Sequence, residues 1–191
     1  MKKFSSAVLV SALLASSSLW AANIEIGKTV PDVKIVSEGE INLDEKHEKV
    51  TGYTEWGTDQ LKGKVRTIQA IAGRTSAKKL NQAFMEEITA SKFDRTKYQT
   101  TTIINLDDKI PATGFVVKGK AESSKKEFWW SSMVVDEKGK AASVWGLKPE
   151  SSAIIILDKQ GKVVFFKEGE LSQDERAQAL NLIKTELAKT E

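Results

Sequence analysis

The sequence predicts an α/β fold built on a mixed sheet, and three observations carry that reading. A buried strand, an amphipathic helix and a β-branched strand follow one another between Val65 and Asp108, an order that implies a parallel pair joined by a right-handed crossover. Two apolar strands either side of Asp158 to Gly161 read as an antiparallel hairpin. The chain then closes on an amphipathic helix opened by the capping box Ser172 to Glu175. A length of 191 residues, 40% apolar and 29% charged, suits one soluble globular domain with a real core.

In chain order, residues 1–22, "MKKFSSAVLVSALLASSSLWAA", come first. Lys2 and Lys3 give a basic start, Ala7 to Ala15 an apolar stretch, and Ala21 and Ala22 a small-residue boundary. This is the pattern of a secretory signal peptide. The alternative, a retained anchor, is weaker, because serines dilute a stretch already short of the roughly 20 apolar residues a span needs. The expected division is therefore a leader over 1–22 and one domain over 23–191, exported to the periplasm, with a mature chain starting at Ala22 or Asn23. No later segment is apolar enough to span a bilayer, and without cysteine there is no site for lipoprotein-type lipid attachment.

After the leader, "VPDVKIVSEGEINL" alternates apolar and polar residues about Ser37 to Glu40 and reads as a hairpin with Gly39 in its turn. "YTEW" at 53–56 is a candidate edge strand. Val65 to Ala72 is a buried strand. From Ser76, Leu80, Phe84 and Ile88 recur at helical spacing, predicting one amphipathic helix of about four turns. "YQTTTIINLDD" is the second strand of the crossover, and 112–128 a weaker helix interrupted by Gly119. "SSMVVDEKGK" is a strand after which Gly139 starts a short helical turn, "KAASVWGL". In the terminal helix Leu180, Ile183 and Leu187 share a face that packs on the sheet.

Composition excludes several functions. Removing Lys2 and Lys3 leaves 27 basic against 26 acidic residues, so the net charge falls from +3 to +1. Lysine and glutamate are interspersed, as in "DEKHEKV" and "ESSKKEF", giving no track for nucleic-acid phosphates. Zero cysteines excludes disulfides, thiol redox chemistry, cysteine-ligated metals and a cysteine nucleophile.

The order of hairpin, "LKGKV", buried strand, helix, strand, helix, "VVDEKGKAASVWGL", "IIILDKQGKVV" and helix, over about residues 27–189, resembles the thioredoxin-like fold of exported thiol oxidoreductases and peroxiredoxins. Within it, "VRTIQAIAGRTSAK", "YQTTTIIN" followed by "DDKIP", and "ESSAIIILDKQGKV" closely resemble the YtfJ family of exported bacterial thioredoxin-like proteins. The resemblance implies a three-layer α/β/α domain with a central mixed sheet and an N-terminal hairpin extension. It implies no activity. It also places the superfamily's redox motif within Arg74 to Lys78, where Thr75 and Ser76 stand, and its cis-proline at Ser152, where a trans peptide is expected. Both departures put disulfide exchange and peroxide reduction out of reach.

Parallel strands bring Arg74, Thr75 and Ser76 to the same edge as Asp107 and Asp108, and the resemblance adds Glu150, Ser151 and Ser152. One reading is an anion-binding cleft that uses the helix N–H groups, the helix dipole and the Arg74 guanidinium. The other is that Thr75 or Ser76 caps the helix while Arg74 pairs with Asp107 or Asp108. The functional expectation is a non-redox binding module for a peptide segment or small anion at Arg74 to Ser76. Its partner is an exported protein or a small anion, with no cofactor and no nucleic acid. The rival is a cysteine-independent hydrolase or transferase using Asp107 or Asp108 as base, although no nucleophile is evident. A purely structural or assembly subunit is a third class.

Other motifs point less far. Asp107, Asp108 and Glu150 offer oxygen ligands for Ca²⁺ or Mg²⁺ without a recognisable loop pattern. Ser76 to Lys79 spells S-x-x-K, but the chain has no Lys-Thr-Gly element to accompany it. His47, the one histidine, lies in a charge-rich stretch read as solvated and cannot complete a Ser-His-Asp arrangement. Trp129 and Trp130 precede a strand, where alternation puts one ring in and one out, either as a partner surface or as a cover for the sheet edge.

Overall fold

The computed structural model describes residues 22–189. Of the predicted leader, all but Ala22 lies outside the described residues. The elements in chain order are β1 (Lys34–Leu43), β2 (Val50–Gly57), a 3-10 turn (Thr58–Leu61) and β3 (Val65–Ala72). They continue with α1 (Thr75–Leu80), α2 (Gln82–Ser91), β4 (Tyr98–Asn105), α3 (Gly114–Glu127) and β5 (Ser132–Asp136). The chain ends with α4 (Lys140–Trp145), β6 (Ser152–Leu157), β7 (Val163–Glu168) and α5 (Gln173–Ala188).

The strands form one mixed sheet in the order β2-β1-β5-β4-β3-β6-β7. β3, β4 and β5 run parallel, and β6 lies antiparallel against β3. Every residue of β3 and β6 is buried, which suits central strands covered on both faces. On one face Ile68, Ile103, Val134 and Ile155 pack with Trp145 of α4 and with Ile24, Val30 and Val33 of the N-terminal segment. On the other, Val65, Ile154 and Ile156 meet Phe84 and Ile88 of α2 and Ile183 of α5, while Ile71, Ile104 and Val135 meet Ala121 of α3. The result is the three-layer α/β/α arrangement.

Two elements differ from expectation. Residues 30–43 do not form a hairpin; β1 is a single strand, and its hairpin partner is β2, which contains "YTEW". Glu38 and Gly39 both have positive φ, 63° and 92°, but they bulge the strand instead of reversing it. The register jumps from Ile35↔Trp56 to Glu40↔Thr54, and over Glu38 to Glu40 the other edge of β1 pairs with β5. Only glycine fits at 39, since a Cβ there would stand 2.1 Å from the Thr54 carbonyl oxygen.

The first crossover helix is also not continuous. It breaks at Asn81 into α1 and α2. Asn81 falls on the buried stripe Ala77, Phe84 and Ile88, and its amide is needed elsewhere in the fold. The remaining elements match the sequence reading, including the Asp158 to Gly161 turn and the reciprocal Ser172–Glu175 capping box.

Candidate functional site at the edge where the parallel strands end

β3, β4 and β5 all end at one edge, and β6 begins there. Gly73 leaves β3 against the end of β4, its N–H donating to the Asn105 carbonyl at 2.8 Å. Asn105 then organises the following turn, its side-chain oxygen accepting from the N–H groups of Asp107 and Asp108 at 2.9 and 3.2 Å. That turn sets Asp108 at the centre of the edge.

Arg74 is the residue before α1, in extended conformation, and its guanidinium crosses to the turn. Nε donates to the main-chain and side-chain oxygens of Asp108, both at 3.1 Å. Nη2 lies 2.9 Å from Asp108 Oδ1 and 3.0 Å from Glu150 Oε1. The second Asp108 oxygen accepts the N–H of Glu150, a residue held at φ 58°. One arginine and two carboxylates thus lace three loops together. Arg74 and Asp108 are largely covered, whereas Glu150 is exposed.

Of the residues predicted for the site, Arg74, Asp108 and Glu150 are in direct contact. Thr75 and Ser76 are exposed and neither caps α1, which has no side-chain cap bond. Asp107 is in the same turn and exposed. The main chain at Ser151 and Ser152 is occupied, with the Ser151 carbonyl accepting from Ala72 N–H at 3.0 Å and the Ser152 carbonyl from Gly169 N–H at 2.8 Å. All described peptide bonds are trans, Ser152 included. The cleft among Ala72, Asn105, Asp136, Leu147 and Ser152 is narrow, with about 20 Å³ open to the centre of a water-sized molecule.

These contacts restrict the available chemistry. Both Asp108 oxygens accept hydrogen bonds, leaving it poorly placed as a general base. Nε and Nη2 of Arg74 are already engaged by carboxylates, with which an external anion would compete. Among the described residues, no group of three or more histidine, aspartate or glutamate side chains is arranged to hold a metal ion.

Beside this network the surface changes character. Ile110 is 52% exposed, Phe115 80% and Val116 40%. Phe115 and Val116 open α3, whose buried positions are Ala121 and Lys125, so the helix turns its largest apolar side chains outward. The Lys109 stem bridges the two regions, passing within 3.1 Å of where a Cβ would stand at both Gly73 and Gly114. Sequence periodicity does not reveal this feature. The available signal is "GFVV" opening a helix whose later apolar positions are few.

Two other expectations resolve at the opposite end of the sheet. His47 is half-buried, stacked on Trp129 with ring centroids 4.2 Å apart, and is not free in solvent. Trp129 and Trp130 precede β5 and lie edge to face, with the Arg95 guanidinium 3.7 Å over Trp130. Trp130 is half-buried and Trp129 42% exposed, so neither ring enters the core.

Residues 24–186 match the model of the family described as "Bacterial protein of unknown function (YtfJ_HI0045)". A Haemophilus influenzae protein, "Uncharacterized protein", is 45% identical over 175 residues, 92% of this chain and 94% of its own. "Uncharacterized protein YtfJ" of Escherichia coli is 44% identical over 163 residues, 85% of this chain and 87% of its own. The fold is shared with solved thioredoxin-like proteins. A thiol-disulfide isomerase from Corynebacterium glutamicum, for example, superposes with a TM-score of 0.55 at 14% identity, covering 84% of this chain and 98% of its own. That likeness is one of fold alone, since this chain has no cysteine.

Proposed function

We propose that this chain, which belongs to the YtfJ family of bacterial proteins, works as an exported, non-redox binding module that holds a segment of a partner protein at the Arg74 to Ser76 edge. The observation that carries this reading is the exposure of Ile110, Phe115 and Val116 beside the Arg74–Asp108–Glu150 network. Contiguous exposed apolar side chains on a soluble domain mark interaction surfaces. A partner segment is favoured over a small anion because the Arg74 guanidinium already has its carboxylates. The same network disfavours Asp108 as the base of a hydrolase or transferase, since both of its oxygens already accept hydrogen bonds.

Export is part of the proposal. It is supported by the basic, apolar and small-residue pattern of residues 1–22. The boundary is supported by the domain, in which Ala22 packs against the core and Asn23 N–H donates to the Trp145 carbonyl at 2.8 Å.

Photo-crosslinking in cells tests the reading. A photoreactive residue at position 110 or 115 is expected to trap a defined protein, while one at Lys46, at the opposite end of the sheet, does not. The purified partner then loses affinity for Phe115→Ser. Equal trapping at all three positions, or none, overturns the proposal.

A further inference from the structure

Resting on the binding-module reading, we infer that the outer face of α3 takes a partner segment whose apolar side chains are flanked by acidic ones. Phe115, Val116, Gly119 and Lys120 are all exposed and follow the i, i+4 spacing of a single helix face. Gly119 has nothing within 4 Å of where its Cβ would stand. The face therefore presents an apolar first turn, then bare backbone, then a cation. An apolar side chain seated against Phe115 and Val116 lets the partner's main chain approach Gly119 closely.

The charges around this face supply the second half of the argument. Lys118 is neutralised by Glu38 at 2.8 Å, and Glu122 accepts a hydrogen bond from the Tyr53 hydroxyl. Lys120 and Lys109 have no carboxylate partner among the described residues, and the Lys109 ammonium donates only to the Leu106 carbonyl, at 2.9 Å. On the outer face of α3 the exposed charge beside Phe115 and Val116 is therefore the Lys120 ammonium, with Lys109 at the N-terminal end, while the exposed carboxylates Asp107 and Glu150 belong to the Asn105 turn and the Arg74 network. Complementarity selects acidic flanks and rejects basic ones. A protein segment fits better than an anionic lipid surface, because the apolar footprint is three side chains, Ile110, Phe115 and Val116. It is not a continuous stripe along an amphipathic helix.

The test uses the exported, processed protein and fluorescently labelled synthetic peptides with a common Leu/Phe centre. One peptide carries glutamate flanks and the other lysine flanks, and phosphatidylglycerol vesicles form a separate arm. Anisotropy should show the glutamate-flanked peptide binding about tenfold tighter than the lysine-flanked one. Raised salt and Lys120→Glu should each shrink that preference, and Phe115→Ser should weaken both peptides. These positions are exposed, so the variants keep their fold, which circular dichroism verifies. Equal affinities, a preference for lysine flanks, or binding to vesicles with no binding to either peptide overturns the inference. If crosslinking at position 115 still traps a protein while the peptides fail, this inference falls and the binding-module reading stands. If crosslinking fails as well, both fall.

Discussion

The side-chain amide of Asn81 donates to Ser152 Oγ at 3.1 Å, joining the break between α1 and α2 to the first residue of β6. The same amide donates to the Gly169 carbonyl at 2.9 Å, and its oxygen accepts from Leu171 N–H at 3.1 Å. One side chain, 1% exposed, satisfies the helix break, the start of β6 and the turn into α5. Asn81→Leu suits the apolar stripe but leaves three partners unpaired, Ser152 and Leu171 buried and Gly169 half-buried, each loss costing about 1 kcal/mol. Urea denaturation should show a loss of about 3 kcal/mol. A change below about 1 kcal/mol would mean that the network is dispensable.

Asp108 should matter more for stability than Arg74 does. Arg74→Ala removes a largely covered ion pair and leaves Asp108 able to take up water, a loss of about 1 kcal/mol. Asp108→Ala leaves the guanidinium near a single exposed carboxylate and also releases the Glu150 N–H, for a loss of about 2 kcal/mol. Excess sulfate should leave the melting temperature of wild type no higher than a matched chloride control allows for. Sulfate stabilisation that disappears in Arg74→Ala would instead support the anion-cleft reading.

Alkaline pH should unfold the chain and ionise its tyrosines together. Both tyrosines, Tyr53 and Tyr98, have pKa values raised well above the usual phenol value. In each case burial is the main cause, with the Glu122 carboxylate adding to it at Tyr53. A pKa higher in the folded state gives stability that is fully present below the unfolded value of about 10 and is lost as pH rises beyond it. Tyrosinate absorbance should therefore stay flat past about pH 10 and then rise steeply, in step with the loss of near-ultraviolet circular dichroism. A gradual titration of both rings centred near that value with the fold intact would contradict the burial of Tyr98 and the contact between the half-buried Tyr53 and Glu122.

How far the fold and site are legible in the sequence depends on whether one local pattern decides each position. The crossover, the Asp158 to Gly161 turn and the Ser172 capping box are legible because spacing and turn chemistry determine them within a few residues. The β1 bulge is not, because Gly39 suits a turn equally well and only the non-local approach of Thr54 distinguishes the two. The mixed charges of "ESSKKEF" predict a solvated Lys125. It is in fact buried, with its ammonium donating to the Trp129 and Ser131 carbonyls, and desolvation lowers its pKa. Parallel topology brings Arg74 and Asp108 to one edge, but whether the arginine faces a ligand or its own carboxylates depends on the Asn105 turn. Asn81 poses the opposite problem, since an asparagine on an apolar stripe reads as a flaw until its three partners are known.

Two glycine substitutions should behave in opposite ways, and the second bears on function. Gly39→Ala forces a Cβ to within 2.1 Å of the Thr54 carbonyl oxygen at a φ of 92°. It should cost about 3 kcal/mol or more, and hydrogen exchange should open first where β1 meets β2. Gly119→Ala meets no atom within 4 Å and sits inside α3, where alanine outranks glycine in helix propensity by about 1 kcal/mol. The free protein should become more stable, with a melting temperature a few degrees higher. If the outer face of α3 is a docking surface that needs close backbone approach, the same variant should bind the glutamate-flanked peptide several-fold more weakly despite its greater stability. Thermal melts and anisotropy on one preparation separate the two effects. A stabilised protein with unchanged affinity would place the partner's main chain away from Gly119 and confine recognition to Phe115, Val116 and the lysines.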